Sequence, residues 1–546
     1  MLLTALLLAL CCGAPAAARA QALPDAPRAA SSAAEHRARG ESSLAAGDLA
    51  RARAEFRAAL AVDPSDAASH DGLGVALGDG GDLEGAIRAF DEAVRLAPTL
   101  VPARVHRALA LERLGHVPQA IREYEEALRL EPRRLDAQYG LSSACAKAGD
   151  LDGAIALLQD LVTRVPQFAE ARYNLGVYLA NRYREATGPR HGPDLDAAIA
   201  QANEAVRLAP AVPAYRTALG QMLVDKQQLE PAVAAFREAQ ALDPEQPEHA
   251  YNLGLALRLT GDLDGAASQF RTAVRLDPRH GLAYRALGLV LRETGDLAAA
   301  SEALAAAARV LPDDAQTQHL LGSVLLKLLG PEPALPPLRR AVALDPSLTE
   351  ARATLAQALA RTGAREAARL EQQEVERINV ARAAGGRALV LLEDASQRAR
   401  AGDREGAVVC LREAVSLAPT LVEAQYRLGA ALRELPGHAA ASEAALVEAV
   451  RLEPTHASAH YELGLVLAAR GDVPGAIAAL RRATDLAPGL VAAHRELAAL
   501  ARRQQDPALL ASALTAIVAW DPHDAAAAGE LRHLSARTSK PPERVK

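Results

Sequence analysis

Few residues of this sequence have the types and spacings that catalysis or metal binding requires. His456 and His460 stand four residues apart, a spacing that can place two imidazole rings on one face of a helix as zinc ligands. No third ligand follows, and Pro454 places His456 just before a helix begins, so the pair indicates a helix start. The sequence also lacks a phosphate-binding glycine loop, a Gly-x-Ser-x-Gly motif and a His-Glu-x-x-His motif. We therefore expect no catalytic residue, no cofactor, no metal site and no enzyme activity.

The cysteines do not form a disulfide framework or a zinc pattern. Cys11 and Cys12 lie in an apolar N-terminal stretch, and Cys145 and Cys410 are more than two hundred residues apart. Because Cys145 and Cys410 lie among apolar residues with helical spacing, we predict that they are buried, unreactive thiols.

Residues 1–20 are predicted to be a secretory signal peptide. The apolar run at 2–10 is too short to cross a bilayer, and the small residues that follow it suit a signal-peptidase site. We expect cleavage before Gln21, followed by a flexible N-terminal segment at 21–32. The mature chain would then be periplasmic or secreted and would keep no integral membrane segment. The alternative is an uncleaved, cytoplasmic protein.

Length and composition favour a helical array over one compact domain. The chain has 546 residues, whereas a single core stops growing at about 250–300 residues. Half of the residues are apolar but only 3% are aromatic, so the core must consist mainly of Ala, Leu and Val. Alanine and leucine favour helices because they lose little side-chain entropy there. The formal net charge of -6 argues against a nucleic acid partner, for which a basic surface is usual.

Prolines recur along the chain with a spacing of 34 residues almost throughout. A period of this length indicates an array of small units, each of which buries its apolar face only by stacking on its neighbours. In the unit at 67–100, two apolar stripes at helical spacing flank a break at Gly81-Asp82, which predicts two amphipathic helices per unit. The recurring prolines are Pro64, Pro98, Pro132, Pro166, Pro210, Pro244, Pro278, Pro312, Pro346, Pro419, Pro454, Pro488 and Pro522.

Small residues mark the place where the two helices of a unit should cross. We expect Gly74 to face Ala86 there, because larger side chains would separate the helices, and Phe90 to fill the wider gap beyond. Pro98 should end the second helix, since proline lacks the backbone donor that a continuing helix needs. The same marks recur in later units as Gly220, Ala232, Phe236, Ala239 and Pro244, and as Gly254, Ala266, Phe270, Ala273 and Pro278.

This pattern resembles the tetratricopeptide repeat family. The tryptophan that the family usually has in its first helix is missing, and Tyr284, His70 and His460 stand near or at its place. The resemblance implies an all-α, right-handed superhelical solenoid of about fourteen antiparallel helix pairs. It covers about nine-tenths of the chain, over 33–522, and is carried in one unit by Tyr251-Asn252-Leu253-Gly254, Gly261-Asp262, Ala266, Phe270, Ala273 and Asp277-Pro278.

Two segments interrupt the 34-residue period. Ten extra residues between Pro166 and Pro210 include the Gly- and Pro-containing segment 184–193, which predicts a longer connection between the two helices of that unit. The second interruption is larger, with 73 residues from Pro346 to Pro419, and it contains a charged stretch that no proline ends.

The charged stretch at 365–384 is interpreted as a helix that closes a first array at 33–384, because a polar helix suits the exposed end of an array. Gly385-Gly386 would then provide a flexible stop before a second array at 385–534. The last residues, 535–546, are charged and read as a disordered tail. The alternative is one continuous superhelix with a degenerate unit.

The resemblance also implies where a partner would bind. In this family the first helices of the units line the inner surface, and their fifth positions here hold five of the ten tyrosines. Tyrosine suits a surface that meets an extended peptide because it offers apolar area and a hydroxyl. The alternative is that tyrosine at this place belongs to the repeat consensus. The candidate groove residues are Tyr139, Tyr173, Asn174, Tyr251, Asn252, Tyr426 and Tyr461.

Two specialised grooves of the family are not matched. The lysine and asparagine clamp that binds chaperone tails would need residues other than Thr217 and Leu282 around Asn252. Only Asn174 and Asn252 fit the asparagine pattern of the sugar-transferase type. We therefore expect an exported, non-enzymatic protein-protein interaction scaffold or adaptor that binds peptides or partner subunits in its grooves. The alternative is a non-catalytic repeat subunit of an enzyme system such as a glycosyltransferase or protease complex.

Overall fold

The computed structural model describes residues 32–185, 192–521 and 523–538, and these residues form helices and turns without a strand. The predicted signal peptide at 1–20 lies outside the described residues, as does all but the end of the predicted segment at 21–32. None of the described helices is both long and apolar enough to span a bilayer.

The chain divides into two compact units between Leu328 and Leu329. The first unit contains α1 (Ala33–Ala45), α2 (Leu49–Val62), α3 (Ala67–Asp79), α4 (Leu83–Leu96), α5 (Val101–Arg113), α6 (Val117–Leu130), α7 (Leu135–Lys147), α8 (Leu151–Arg164), α9 (Ala169–Glu185), α10 (Gly192–Leu208), α11 (Pro213–Asp225), α12 (Leu229–Leu242), α13 (Pro247–Thr260), α14 (Leu263–Leu276), α15 (Gly281–Glu293), α16 (Leu297–Val310) and α17 (Ala315–Leu328).

The second unit has the same kind of helices and one much longer helix, α20. It contains α18 (Pro331–Leu344), α19 (Thr349–Arg361), α20 (Arg365–Arg400), α21 (Arg404–Leu417), α22 (Val422–Arg433), α23 (Ala439–Leu452), α24 (Ala457–Arg470), α25 (Val473–Leu486), α26 (Val491–Gln504), α27 (Pro507–Trp520) and α28 (Ala525–Thr538).

Within each unit, every helix packs against the next one along the chain, and short turns join them. The first helices of successive pairs also touch one another, as α3 touches α5 and α13 touches α15. The first helices therefore line the inner surface of a run of pairs. The predicted all-α solenoid of about fourteen helix pairs is confirmed in the described residues.

The turn inside each pair has the residues that the break in the sequence predicted. Gly81 has a φ of 90°, a left-handed conformation that glycine adopts without a steric penalty. The side chain of Asp82 then caps α4, because its carboxylate accepts a hydrogen bond of 2.8 Å from the backbone N–H of Gly85. The same aspartate cap recurs at Asp48, Asp150, Asp262, Asp296, Asp403 and Asp472.

At the helix crossing, the glycine is where the sequence places it, but its partner differs from the prediction. Gly74 faces the ring of Phe90 rather than Ala86, and a Cβ at Gly74 would collide with that ring. Ala86 lies instead opposite Gly78, at 3.5 Å from a Cβ built there. The large side chain therefore lies on the glycine backbone, and no wider gap exists for it to fill.

The place of the missing tryptophan, the fourth position of the first helix, has a second recurring role. There a long polar side chain donates a hydrogen bond to the carbonyl of the proline that follows the preceding helix. Examples are Arg172 to Pro166, at 2.8 Å, and His494 to Pro488, at 3.0 Å. The other donors of this kind are His70, Arg104, Arg216, Gln318, Arg352, Gln425 and His460.

The insertion at 184–193 is only partly a loop. Its first residues end α9 and its last ones, from Gly192, begin α10, so each of these helices has 17 residues and reaches beyond the usual length. Arg182 holds the extended ends together, because its guanidinium contacts Asp194 and Asp152 at 2.7 Å each. Residues 186–191 lie outside the described residues. The longer connection therefore consists partly of helix.

The predicted stop at Gly385-Gly386 is wrong. Both glycines lie inside α20, and the closing helix predicted at 365–384 continues to Arg400. Glycine weakens a helix by about 1 kcal/mol but removes no backbone hydrogen bond, so α20 continues through the pair. The compact units divide at Leu328, and the division into arrays at residue 385 stays a prediction.

The C-terminal end also differs from the prediction. Residues 535–538 belong to α28, so the predicted tail at 535–546 begins too early, and its remainder lies outside the described residues. Trp520, the only tryptophan of the sequence, ends α27 and is 57% exposed. Its ring lies beside the turn at Gly489, about 3.5 Å from where a Cβ would stand.

Replacing Gly254 by leucine should destabilise the first unit. A Cβ at Gly254 would lie 2.7 Å from the ring of Phe270, so Gly254→Leu overpacks the crossing of α13 and α14 at a cost of about 1–3 kcal/mol. The urea midpoint of the full chain measures this loss. Gly529→Leu in α28 is the matched control, since a Cβ there meets nothing within 4 Å. An unchanged midpoint in Gly254→Leu would show that the crossing has room.

Removing the donor at position 494 should weaken the connection between α25 and α26. His494→Leu leaves the carbonyl of Pro488 without its side-chain donor, at a cost of about 1 kcal/mol. His494→Gln should retain the stability, because Gln425 makes the same hydrogen bond to Pro419 in its own unit. Chemical denaturation of both variants tests this, and equal losses for leucine and glutamine would refute the role of the hydrogen bond.

Candidate interaction groove

A groove of about 320 Å³ lies on the inner surface of the first unit, where α9, α11 and α13 pass side by side. Its walls combine small alanine side chains with larger apolar and polar ones. Because it is open along the surface, it can admit a chain segment from the side. The residues that line it are Tyr173, Val177, Ala180, Arg184, Ala214, Thr217, Ala218, Gln221, Met222 and His249.

The apolar part of the groove is built on an aromatic stack. The rings of Tyr173 and Tyr215 lie 4.9 Å apart at an interplanar angle of 28°. Burial, with a smaller contribution from the charge of Glu170, raises the pKa of Tyr215 to about 12, so its hydroxyl stays neutral at physiological pH. Met222 is almost fully buried beneath the groove, and its flexible thioether side chain can adapt to different occupants.

The polar part of the groove contains hydrogen-bonding groups and little net charge. His249 is 8% exposed, and its Nδ1 lies 3.3 Å from the hydroxyl of Thr217. Arg184 is the one charged lining residue, and Asp225 neutralises it through an ion pair of 2.6 Å. Gln221 adds an amide between them along α11. The groove therefore offers donors and acceptors on an apolar surface without a strong electrostatic preference.

The predicted groove residues of the first unit are brought together only in part. Tyr173 lines the groove, whereas Asn174, on the next residue, donates a hydrogen bond of 2.8 Å to the hydroxyl of Tyr139. Burial raises the pKa of Tyr139, which keeps this hydroxyl neutral. Tyr251 is half-buried against the rings of the following helices, and Asn252 is half-buried beside it.

Tyr426 and Tyr461 belong to the second unit and are half-buried there. The ring of Tyr426 packs on His456, with 4.8 Å between the ring centroids, and Tyr461 packs against the core of the last helix pairs. No described contact of either residue indicates a ligand site, and their assignment to a groove stays a prediction.

A shared packing role explains several of the tyrosines. Tyr139, Tyr251 and Tyr426 each occupy the fifth position of a first helix, and each packs on the residue that precedes the first helix of the next pair. These contacts join Tyr139 to Phe168, Tyr251 to His280 and Tyr426 to His456, with centroid distances of 4.8 to 5.3 Å. The repetition favours the consensus alternative for these three residues.

Sequence reasoning missed Tyr215, Met222 and His249. Two of them occupy the third position of a first helix, where most pairs have a fully buried alanine, such as Ala283. The replacement of that alanine by Tyr215 in α11 and by His249 in α13 is a departure from the repeat's own pattern. A search for such departures could have found the groove, since they place large side chains where the array needs only a methyl group.

The remaining candidate residues have structural roles. His456 caps α24 by accepting a hydrogen bond from the backbone N–H of Ala459, and His460 donates to the carbonyl of Pro454. In the described parts of the chain, no group of three His, Cys, Asp or Glu side chains is placed to hold a metal ion. Cys410 is buried as predicted, whereas Cys145 is only half-buried, and burial raises the pKa of its thiol.

The repeat pattern matches a known family over more than half of the chain. A family model described as tetratricopeptide repeat matches residues 37–100, 106–167, 147–213, 192–247, 217–280, 251–318 and 437–491. The chain belongs to the tetratricopeptide repeat family. Membership in this family supports a protein-interaction scaffold with protein partners.

Several solved structures resemble this tetratricopeptide repeat chain. The APC/C hetero-tetramer Cut9-Hcn1 is 16% identical, with 92% of this chain and 96% of that chain covered and a TM-score of 0.35. Yeast Tom70 is 14% identical, with 87% and 98% covered and a TM-score of 0.32. MamA 41-end from Desulfovibrio magneticus RS-1 is 24% identical, with 31% and 94% covered and a TM-score of 0.29. At these TM-scores, none of the three adds an argument about function. No curated protein sequence matches the chain.

Proposed function

We propose that this protein is an exported, non-enzymatic scaffold that binds an extended segment of a partner protein in the groove between α9, α11 and α13. The observation that supports the proposal is the lining of this groove, in which three successive first helices supply an aromatic stack, small alanines and hydrogen-bonding side chains. An extended peptide needs this combination, because its side chains require apolar contact and its backbone requires hydrogen-bond partners.

The dimensions of the groove favour side chains of moderate size. Ala180, Ala214 and Ala218 leave room above Tyr173 and Met222, so a bound aliphatic or aromatic side chain would contact the tyrosine ring and exclude water from it. Thr217, Gln221 and His249 lie along one side of this space and could satisfy peptide carbonyl and amide groups.

The low net charge of the groove separates this proposal from recognition of charged motifs. Arg184 is paired with Asp225, so a carboxylate or phosphate of the partner would have to compete with that ion pair. We therefore propose that shape and apolar contact select the partner segment, and that charge contributes little. The partner's affinity should accordingly change little with salt.

Export is part of the proposal and rests on the apolar run at 2–10 and on the small residues before Gln21. Mature protein isolated from the envelope or medium of its native host should begin at Gln21. N-terminal sequencing tests this directly, and an intact Met1 on protein from the cytoplasmic fraction would reject export while leaving the groove proposal unaffected.

Filling the groove should abolish peptide binding. Linear peptides selected from a displayed random library on the full chain should carry an aliphatic or aromatic residue. They should bind the Ala218→Trp variant at least about tenfold more weakly, a loss of about 1.4 kcal/mol. Ala234→Trp is the matched control, since Ala234 is exposed on α12, the second helix of the same pair. Titration calorimetry measures both. Equal affinities for the two variants would place the binding surface elsewhere, and the failure to select any peptide would contradict the proposal.

A further inference from the structure

The long helix α20 connects two groups of helices within the second unit. Its first part packs against α19, and its last part packs against α21. Between Ala368 and Ala388 none of its residues is buried, which leaves about 30 Å of helix without tertiary support. A helix of this kind is stabilised almost entirely by its own hydrogen bonds.

The last part of α20 has the surface of a helix that begins an array. Counting back from the capping residue Asp403, as from Asp82 to Ala67 in α3, makes Ala388 the first position of a first helix. In first helices packed between neighbours, the third, seventh and tenth positions are buried and apolar, as Ala283, Leu287 and Val290 are in α15. In α20 these positions hold Val390, Asp394 and Gln397, all exposed.

The first helix of the described chain shows the same feature. In α1 the third, seventh and tenth positions are Glu35, Arg39 and Ser42, and all three are exposed, since no described helix pair precedes α1. The match between α1 and the last part of α20 indicates that no helix pair stacks on this face of α20.

The first part of α20 has the complementary surface, that of a helix that ends an array. In α4 the fifth, eighth and twelfth positions of the second helix are Ile87, Phe90 and Val94, which pack against neighbouring helices. The corresponding positions of α20 are Arg369, Gln372 and Glu376, and all are exposed. Both parts of α20 therefore present polar faces where the solenoid would otherwise continue.

The centre of α20 is its least supported segment. Ion pairs support the helix up to Arg377, which contacts Glu374 at 2.6 Å, and again from Arg387, which contacts Glu413 at 2.8 Å. Along the described helix between Arg377 and Arg387, no side chain makes a hydrogen bond or ion pair. Gly385 and Gly386 lie in this segment, and a Cβ added at either would meet nothing within 4 Å. The glycines therefore serve no close approach, and each weakens the helix relative to alanine.

We infer that α20 is a helical spacer that closes one set of helix pairs, opens the next, and bends at Gly385-Gly386. The polar faces on both of its parts leave no apolar contact that would hold the two sets in one orientation. The two glycines lower the cost of opening the helix at one place. The grooves on either side of α20 can therefore turn relative to each other while each set of pairs keeps its own packing.

Distances across the helix test the bend directly. Spin labels are placed on Arg369→Cys and Gln397→Cys in the full chain, with the four native cysteines replaced by alanine. A straight α20 places these positions about 42 Å apart with a narrow distribution. The inference predicts a broad distribution that extends to shorter distances, and a narrow one near 42 Å after Gly385→Ala and Gly386→Ala together. A narrow distribution before the alanine changes, or a broad one that they leave unchanged, would overturn the inference.

Hydrogen exchange provides a second measurement on the chain with its native cysteines. Amides at 381–390 should exchange much faster than those of α19, and the two alanine changes should slow them about 30-fold, equivalent to about 2 kcal/mol for two glycines. Gly529→Ala in α28 is the control, because its glycine also lies in open space and its change should not affect α20. Equal protection of 381–390 and α19 in the unchanged chain would contradict a bend.

Discussion

The contact between a glycine backbone and a large side chain of the paired helix sets the helix spacing on which the rest of the structure depends. In the first unit the side chain is aromatic, as where Phe236 lies on Gly220, and later it is leucine, as where Leu480 lies on Gly464. Any Cβ at these glycines would lie within about 2.8 Å of the partner side chain. The short turns between paired helices and the alignment of successive first helices both require this close approach, so the inner surface depends on it.

Local and repeated features of the fold could be predicted from the sequence, whereas features that depend on neighbouring pairs could not. Gly81-Asp82 and Pro98 act within a few residues of themselves, so their roles as turn, cap and helix end follow from residue type alone. The stop at Gly385-Gly386 failed because glycine only weakens a helix, whereas proline removes a donor. Whether the weakened helix persists depends on its total length and on the anchored ends of α20, which a local pattern does not contain.

The groove illustrates the same limit for function. Tyr173 was predicted from its position in the repeat, but that position also holds tyrosines such as Tyr426 that pack on the next pair. What distinguishes Tyr173 is its neighbour Tyr215, which lies 42 positions further along the chain and occupies a place that elsewhere holds alanine. A residue's type and register therefore identify the surface, whereas the side chains of adjacent first helices decide whether that surface contains a cavity.

The location of Trp520 determines what an optical experiment on this protein would report. It is the only indole in the chain, it ends α27, and it is largely exposed beside the turn at Gly489. Intrinsic tryptophan emission would therefore follow the loosening of the last helix pairs alone, from a fluorophore that water already reaches in the folded state. Far-ultraviolet circular dichroism would average over every helix instead. Any difference between the two melting curves would measure how far the C-terminal end unfolds independently of the rest of the chain.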